Sequence, residues 1–172
     1  DLGKLIAEGP KEELDLTTNT QPVMLTAAVA VYRAWIAAGG KAPDLVAGHS
    51  LGEYSALVAA GVIPFKDAVP LVRFRAQAMQ EAVPVGQGGM AVVLGISADE
   101  VRAVCAETAA EMPGSVIEPV NFNEPTQTVI AGHTAAIDRA CEIAKAKGAK
   151  RAMKLSVSAP FHSSLLKPAS DR

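Results

Sequence analysis

A serine stands between two glycines in residues 48–52, which read Gly-His-Ser-Leu-Gly. The apolar residues 44–47 before it predict a short buried strand, and residues 51–60 after it predict a helix that ends at Gly61. A Gly-x-Ser-x-Gly motif at a strand-to-helix turn is typical of a nucleophilic serine. The glycines permit a sharp turn, and Ser50 then stands at a helix N-terminus, where free N–H groups favour negative charge. The alternative is an ordinary tight turn with a surface serine.

A serine hydroxyl becomes a good nucleophile only when a base takes its proton, and histidine is the usual base. The chain has three histidines. His49 is adjacent to Ser50, and its side chain should diverge from the serine at the turn, so we assign it a supporting role. His133 follows a predicted strand and opens a helix, which favours capping or solvent exposure. His162 follows a predicted strand end, where α/β sites assemble. It is therefore the best candidate base, with a surface loop histidine as the alternative.

An arginine lies on an apolar helix face in the predicted helix 67–83. At helical spacing, the face centred on Arg75 carries only apolar residues, namely Ala68, Leu71, Val72, Ala78, Met79 and Ala82. Arg73, two positions away, points to the opposite, polar face. A buried guanidinium without an anion is costly, so either an internal carboxylate or a ligand anion pairs with Arg75. This helix directly follows the helix of Ser50. Of the two alternatives, that position favours a substrate carboxylate as the partner of Arg75.

The composition describes a globular protein without a strong charge. The 172 residues are 49% apolar and 20% charged, with a formal net charge of −2. These values argue against a nucleic-acid-binding protein and against an intrinsically disordered chain. No segment has the pattern of a membrane span or of a signal peptide. Cys105 and Cys141 are predicted to be free thiols, which suits a reducing cytoplasm, and no spacing predicts a metal site. Because the chain starts at Asp1 without Met and stops in a helical-looking stretch, we expect an incomplete piece of a longer protein.

The predicted elements divide the chain into parts. Residues 1–20 look irregular with at most a short helix, and a helix capped by Thr20 then runs to Gly39. From about residue 88, strands and helices alternate in the order β-α-β-β-α-β, which is the ferredoxin-like arrangement. The predicted strands are 90–94, 116–122, 128–132 and 152–157, and the predicted helices are 97–111 and 134–147. We therefore predict an α/β fold with a large domain in residues 1–86, a small subdomain in 87–157, and a return to the large domain in 158–172.

Several motifs occur together and in a characteristic order along the chain. They are residues 48–57, Arg75, residues 79–82 (Met-Gln-Glu-Ala), residues 120–123 (Val-Asn-Phe-Asn) and residues 159–162 (Ala-Pro-Phe-His). This combination strongly resembles the malonyl-CoA:acyl carrier protein transacylases, which are also the acyltransferase domains of fatty acid and polyketide synthases. The resemblance covers nearly all of the chain. It implies an α/β-hydrolase-like large domain with an inserted ferredoxin-like subdomain.

The resemblance also implies site residues. Ser50 is then the nucleophile, His162 the base and Arg75 the residue that grips the malonyl carboxylate. Leu51 supplies a backbone N–H to the oxyanion hole, and the Phe161 ring crowds a 2-methyl group, so that malonyl is preferred to methylmalonyl. The other expected substrate-binding residues are His49, Met79 and Asn121.

The implied reaction transfers malonyl from malonyl-CoA to the phosphopantetheine thiol of acyl carrier protein, through a malonyl-serine ester. It needs no cofactor and implies a cytoplasmic enzyme without nucleic acid or membrane partners. Two segments of the family, a Gly-Gln-Gly-Ser-Gln segment and a later one that orients the histidine, are not in this sequence. Two alternatives remain open, namely a serine esterase or patatin-like hydrolase and a non-catalytic carrier-binding module.

Overall fold

The computed structural model describes residues 1–157 and 159–172, which form two compact units. Unit 1 comprises Asp1–Gln77 and unit 2 comprises Ala78–Arg172. Ser158, the first residue of the predicted C-terminal segment, lies outside the described residues. None of the helices in the described part of the chain is long and apolar enough to cross a membrane.

Unit 1 is built from helices. They are α1 (Leu2–Glu8), α2 (Lys11–Asp15), α3 (Thr17–Ala37), α4 (Gly52–Ala59) and α5 (Phe65–Ala82), the last of which ends in unit 2. The prediction that residues 1–20 are irregular is wrong, because two short helices and the first turn of α3 lie there. Thr20 does not cap α3, since its hydroxyl lies inside the helix and donates to the carbonyl of Leu16 at 2.9 Å. A threonine can satisfy its hydroxyl in this way within a helix.

The core of unit 1 is small and lies between α3 and α5. Its fully buried members are Leu25 and Val29 on α3 and Ala68 and Val72 on α5. Each pair is four residues apart, so both side chains lie on one face of their helix. Partly buried residues of α4 and its flanks pack against this core, among them Leu51, Tyr54 and Val58. The helix that follows Ser50 is thus fixed to α3 and α5 by apolar contacts.

The predicted strand before Ser50 is wrong. Residues 41–49 form no regular element, and the side chains of Leu45 and Val46 are 91% and 41% exposed. A strand needs a neighbour that pairs with its N–H and C=O groups, and unit 1 contains no other strand among its described residues. The apolar composition of residues 44–47 indicated burial, but nothing within the unit covers them.

Unit 2 contains a four-stranded antiparallel sheet in the order β2-β3-β1-β4. The strands are β1 (Gly88–Leu94), β2 (Ile117–Glu124), β3 (Gln127–His133) and β4 (Arg151–Lys154), and the helices between them are α6 (Ala98–Glu111) and α7 (Thr134–Ala146). The predicted elements between residues 88 and 157 are present in the predicted order, although β4 ends three residues early. A 3-10 turn (Ser164–Leu166) and α8 (Lys167–Ser170) follow.

The core of unit 2 fills the space between one face of this sheet and helices α6 and α7. Along β1, Ala91 and Val93 belong to this core, whereas Met90 packs in a cluster with Val129 and Ala131 of β3. This alternation follows from the two-residue period of a strand. The predicted capping box of α6 is confirmed, because Ser97 accepts from the N–H of Glu100 and the Glu100 carboxylate accepts from the N–H of Ser97.

Candidate active site

Ser50 lies in a strained turn. Its φ of 53° falls in the left-handed region, which residues other than glycine seldom adopt and which recurs at functional sites. A Cβ at Gly48 would lie 2.0 Å from the carbonyl carbon of Gly52, so only glycine fits there. A Cβ at Gly52 would meet no atom of the described residues within 4 Å. The sharp turn expected from the motif therefore depends on its first glycine.

The N-terminus of α4 offers a backbone donor next to the serine. The N–H groups of Gly52, Glu53 and Tyr54 donate to the carbonyls of His49, Ser50 and Leu51 at 2.9, 3.2 and 3.1 Å. The N–H of Leu51 donates to no acceptor among the described residues. The residue after a nucleophilic serine supplies an oxyanion donor in enzymes with this turn. The predicted oxyanion role of Leu51 would use this N–H.

Arg75 contacts the serine directly. Its Nη2 donates to Ser50 Oγ at 3.2 Å, and its Nη1 donates to Gln21 Oε1 at 2.6 Å. The guanidinium carbon also lies 5.6 Å from the centre of the Tyr54 ring, a cation–π distance. No carboxylate of the described residues forms an ion pair with Arg75. Its partners among the described residues are all neutral, so the internal carboxylate that the sequence analysis offered as one alternative is not found among them.

The apolar face around Arg75 is less buried than predicted. Ala68, Val72, Ala78 and Met79 are buried, but Leu71 is 40% exposed and Arg75 itself is half-buried. The reason is that the packing of unit 1 covers only part of this face of α5. Arg73 is exposed, as the sequence predicted.

Gln21 is a site residue that the sequence analysis missed. Its side chain is 6% exposed, and its Nε2 donates to the hydroxyl of Thr17 at 3.1 Å while its Oε1 accepts from Arg75. Gln21 therefore holds the guanidinium from the side of α3. A signal existed, because Gln21 precedes the buried Leu25 and Val29 by four and eight positions on the same helix face. A polar amide on a buried helix face needs a hydrogen-bond partner, as the Arg75 guanidinium does.

A groove of about 760 Å³ opens beside the turn within unit 1. Its lining is mostly apolar and includes Met24, Tyr32, Leu45, His49, Ser50 and Leu51. His49 is exposed at this surface. A groove of this size and composition can take the apolar part of a ligand whose reactive group lies at Ser50.

His162 lies in unit 2, in the loop after β4, and is exposed. Its φ of 65° is also in the left-handed region, so both predicted catalytic residues have strained backbones. Phe161 packs in an apolar cluster that also contains Met79, Val83 and Leu166. The two residues expected to line the acyl pocket, Met79 and Phe161, therefore lie together.

The remaining predicted residues have structural surroundings of their own. Asn121 is half-buried in β2, opposite Val129 and directly after a bulge in the strand pairing. His133 precedes α7, but its ring makes no capping bond. Its Nδ1 instead accepts from the N–H of Val116 at 2.8 Å, which fixes the start of β2.

The two cysteines are free thiols, as predicted, and both are buried. Burial, followed by the nearby charge of Glu118, raises the pKa of the Cys105 thiol to about 12, and burial also raises the pKa of Cys141. Neither is a thiolate near neutral pH, so neither is a nucleophile. Within residues 1–157 and 159–172, no group of three or more His, Cys, Asp or Glu side chains could hold a metal ion.

Comparison with known proteins identifies relatives along the whole chain. The family model of the acyl transferase domain matches residues 1–172. The malonyl CoA-acyl carrier protein transacylase of Escherichia coli (strain K12) is 56% identical over 172 residues, which are 100% of this chain and 55% of that protein. The chain thus spans about half the length of the curated relatives that it matches.

Solved structures show the same likeness. An acyl-carrier-protein S-malonyltransferase from Burkholderia pseudomallei 1710b is 72% identical with a TM-score of 0.93, over 99% of this chain and 55% of that one. A malonyl-transacylase in complex with a type II PKS acyl-carrier protein is 54% identical with a TM-score of 0.94, over 99% of this chain and 54% of that one. The mixed α/β architecture is shared with these structures. Together with the match over every residue, this likeness shows that the chain belongs to the acyl transferase domain family.

Proposed function

We propose that this chain carries the reactive serine of an enzyme that transfers malonyl from malonyl-CoA to the phosphopantetheine thiol of acyl carrier protein. The observation that carries the proposal is the position of Arg75, whose Nη2 lies 3.2 Å from Ser50 Oγ while no described carboxylate pairs with it. An acyl group that brings its own carboxylate supplies the missing anion next to the nucleophile. The names of the relatives agree with this substrate and this carrier.

The proposed reaction has two halves. The Ser50 hydroxyl attacks the thioester carbonyl and gives its proton to His162, and the Leu51 N–H stabilises the oxyanion. The C–S bond then breaks, and coenzyme A leaves with the proton from His162. In the second half, the phosphopantetheine thiol gives its proton to His162 and attacks the malonyl-serine ester, and Ser50 Oγ recovers its proton as it leaves.

Arg75 gives the reaction its preference for malonyl. A guanidinium is planar and can bind a carboxylate through two parallel hydrogen bonds. Gln21 and Ser50 occupy one donor on each Nη atom, which leaves further N–H groups for the substrate. Because Gln21 is neutral, it orients Arg75 without cancelling its charge.

We further propose the fold organisation that the sequence suggested, with an α/β-hydrolase-like large domain and a ferredoxin-like insertion in residues 87–157. The order of elements and the sheet order β2-β3-β1-β4 support the insertion. In this proposal residues 1–86 and 158–172 belong to the large domain. The reaction uses no cofactor of its own, because the carrier brings the phosphopantetheine, and the two free thiols favour a cytoplasmic protein.

Mass spectrometry after incubation with malonyl-CoA tests the proposed function. We expect a malonyl adduct on Ser50 that disappears when acyl carrier protein is added, and no adduct in Ser50→Ala. Release of malonate without transfer to the carrier would instead identify a hydrolase. Binding of the carrier with neither adduct nor turnover would identify a carrier-binding module.

A paired substitution tests the role of Arg75. Arg75→Ala should lower malonyl transfer by about 10- to 150-fold, because hydrogen bonds to charged groups contribute about 1.5–3 kcal/mol. Transfer of acetyl, which carries no carboxylate, should fall much less. Arg73→Ala, two positions away at an exposed site, is the matched control and should leave both rates unchanged. Equal losses for malonyl and acetyl in Arg75→Ala would exclude the carboxylate-binding role.

A further inference from the structure

We propose that Glu118 is a positioning residue for His162, acting through Ser164. The carboxylate of Glu118 anchors the loop after β4 and thereby fixes the backbone of the histidine. The inference rests on the proposed function, in which His162 is the base. All the residues involved belong to unit 2.

The contact between Glu118 and Ser164 is a double hydrogen bond. The Ser164 N–H donates to Oε2 at 2.7 Å, and the Ser164 hydroxyl donates to Oε1 at 2.7 Å. Both carboxylate oxygens therefore bind one residue, two positions after His162. Hydrogen bonds to an ionised acceptor are short and stronger than neutral ones, so this pair resists movement of the loop.

The other side of His162 is anchored by packing. Pro160 is buried, and a Cβ added to Gly88 of β1 would lie 2.6 Å from its ring, so the proline sits directly on the backbone of the strand. The buried Ser163 closes the turn, because its hydroxyl donates to the Pro160 carbonyl at 2.7 Å. The loop is thus attached to β1 before the histidine and to β2 after it.

The strain at His162 explains why two anchors are needed. A residue other than glycine at a φ of 65° is strained and persists only when its surroundings fix it. His162 itself is exposed, so burial of its own side chain does not hold it. When the Glu118 contact is lost, the backbone after His162 loses one of its two described anchors, and the strained turn that carries the imidazole relaxes.

The experiment compares three substitutions in the intact protein. Glu118→Ala removes both acceptors, whereas Glu118→Gln keeps the geometry, since its oxygen accepts from the N–H and its NH₂ donates to the hydroxyl. Glu124→Ala is the matched control, because Glu124 is an exposed carboxylate at the end of the same strand. Two measurements are made for each protein, namely steady-state malonyl transfer and hydrogen exchange of the amides in residues 159–166.

We expect Glu118→Ala to lower kcat by about 10- to 100-fold, as small misplacements of a catalytic group do, with KM for malonyl-CoA unchanged. Exchange at the Ser164 amide should become faster in the same variant. Glu118→Gln should recover most of both properties, and Glu124→Ala should match the wild type. Ser164→Ala, at an exposed position, removes only the hydroxyl bond and should give a smaller change in the same direction.

Unchanged exchange at Ser164 in Glu118→Ala would overturn the proposal, and so would a kcat equal to that of Glu124→Ala. Absence of malonyl transfer in the wild type would overturn the proposed function and, with it, the positioning role. The two failures are distinguishable, because hydrogen exchange reports on the loop whether or not the protein transfers malonyl.

Discussion

The two units bury their apolar residues to very different extents. In unit 2, every strand of the sheet and both helices α6 and α7 contribute to one cluster of buried side chains. In unit 1, the buried cluster consists of four residues on α3 and α5. Several large apolar side chains of unit 1 are more than half exposed, namely Met24, Val31, Trp35, Leu45 and Val62.

The difference follows from how the backbone N–H and C=O groups of each unit form their hydrogen bonds. The strands of unit 2 pair with one another inside one continuous stretch of chain, and two helices cover one face of their sheet. In unit 1, residues 41–49 have no strand to pair with among the described residues, so their apolar side chains stay exposed. The unit with the sparse core nevertheless holds Ser50, Arg75 and Gln21. The larger buried core and the reactive serine thus lie in different units.

Large-to-small substitutions test this contrast most strongly. Ile137→Ala, at a fully buried position of α7, should destabilise unit 2 by about 2–5 kcal/mol. Val31→Ala, at a 71% exposed position of α3, should change stability by no more than about 0.5 kcal/mol. Urea unfolding can follow the units separately, because the single Trp35 lies in unit 1 and both cysteines, measured by thiol labelling, lie in unit 2. Equal effects of the two substitutions would contradict the contrast.

Glycine substitutions at the turn test whether the reactive geometry is local to unit 1. Gly48→Ala forces a Cβ against the backbone of Gly52 and should slow malonyl-serine formation by about 100-fold, the cost of a small misplacement. Thiol labelling of Cys105 should stay slow, because unit 2 is unchanged. Gly52→Ala meets open space among the described residues and serves as the matched control. A similar loss in both variants would show that the turn is not decided by the Gly48 contact.

Of the three tests, removing the capping box of α6 is expected to have the smallest effect. Ser97→Ala should destabilise unit 2 by about 0.5–2 kcal/mol, since the N-terminus of α6 loses its cap. Hydrogen bonds from the backbone and hydroxyl of Ser97 hold the pKa of the Glu100 carboxyl below its usual range. This contribution is present above the usual pKa of a glutamate and is lost as the pH falls through the lowered value. Thermal unfolding between pH 7 and pH 3 (about the range in which carboxyls titrate) should therefore show a smaller acid loss in Ser97→Ala.

Exposed Ser170 provides the control for that measurement, since Ser170→Ala removes a serine without a cap bond at the end of α8. Its unfolding temperature should equal that of the wild type at each pH. An identical acid loss in Ser97→Ala and the wild type would mean that the hydrogen bond from the Ser97 hydroxyl to Glu100 does not contribute, since the backbone N–H bond remains in the variant.

Unit 2 could be predicted from the sequence more completely than unit 1. The capping box of α6 and the alternation in β1 act over a few residues, so their outcome does not depend on distant parts of the chain. The apolar residues 44–47 predicted a buried strand, and this prediction was wrong because burial there requires a neighbouring strand. The sequence also indicated Ser50 and Arg75, since a strained turn and a cation on an apolar face are local signals.

Which residues contact Ser50, Arg75 and the loop of His162 could not be predicted from the sequence. Gln21 and Arg75 are 54 positions apart, and Glu118 and Ser164 are 46 apart. Neither distance leaves a periodic signal. The position of Gln21 on the buried face of its helix indicated that it needs a partner but not that the partner is Arg75, and Glu118 carried no indication at all.

By itself, the sequence determined the serine at its turn, the order of strands and helices in unit 2, and the family to which the chain is similar. These depend on the steric limits of single residues and on periodicities of two and 3.6 residues, which each segment carries alone. Only the tertiary structure decided that Arg75 meets Ser50 and Gln21, and that Glu118 accepts two hydrogen bonds from Ser164 in the loop of His162. The reason is that such contacts form when packing brings distant segments together, and short-range patterns do not encode which polar groups then meet.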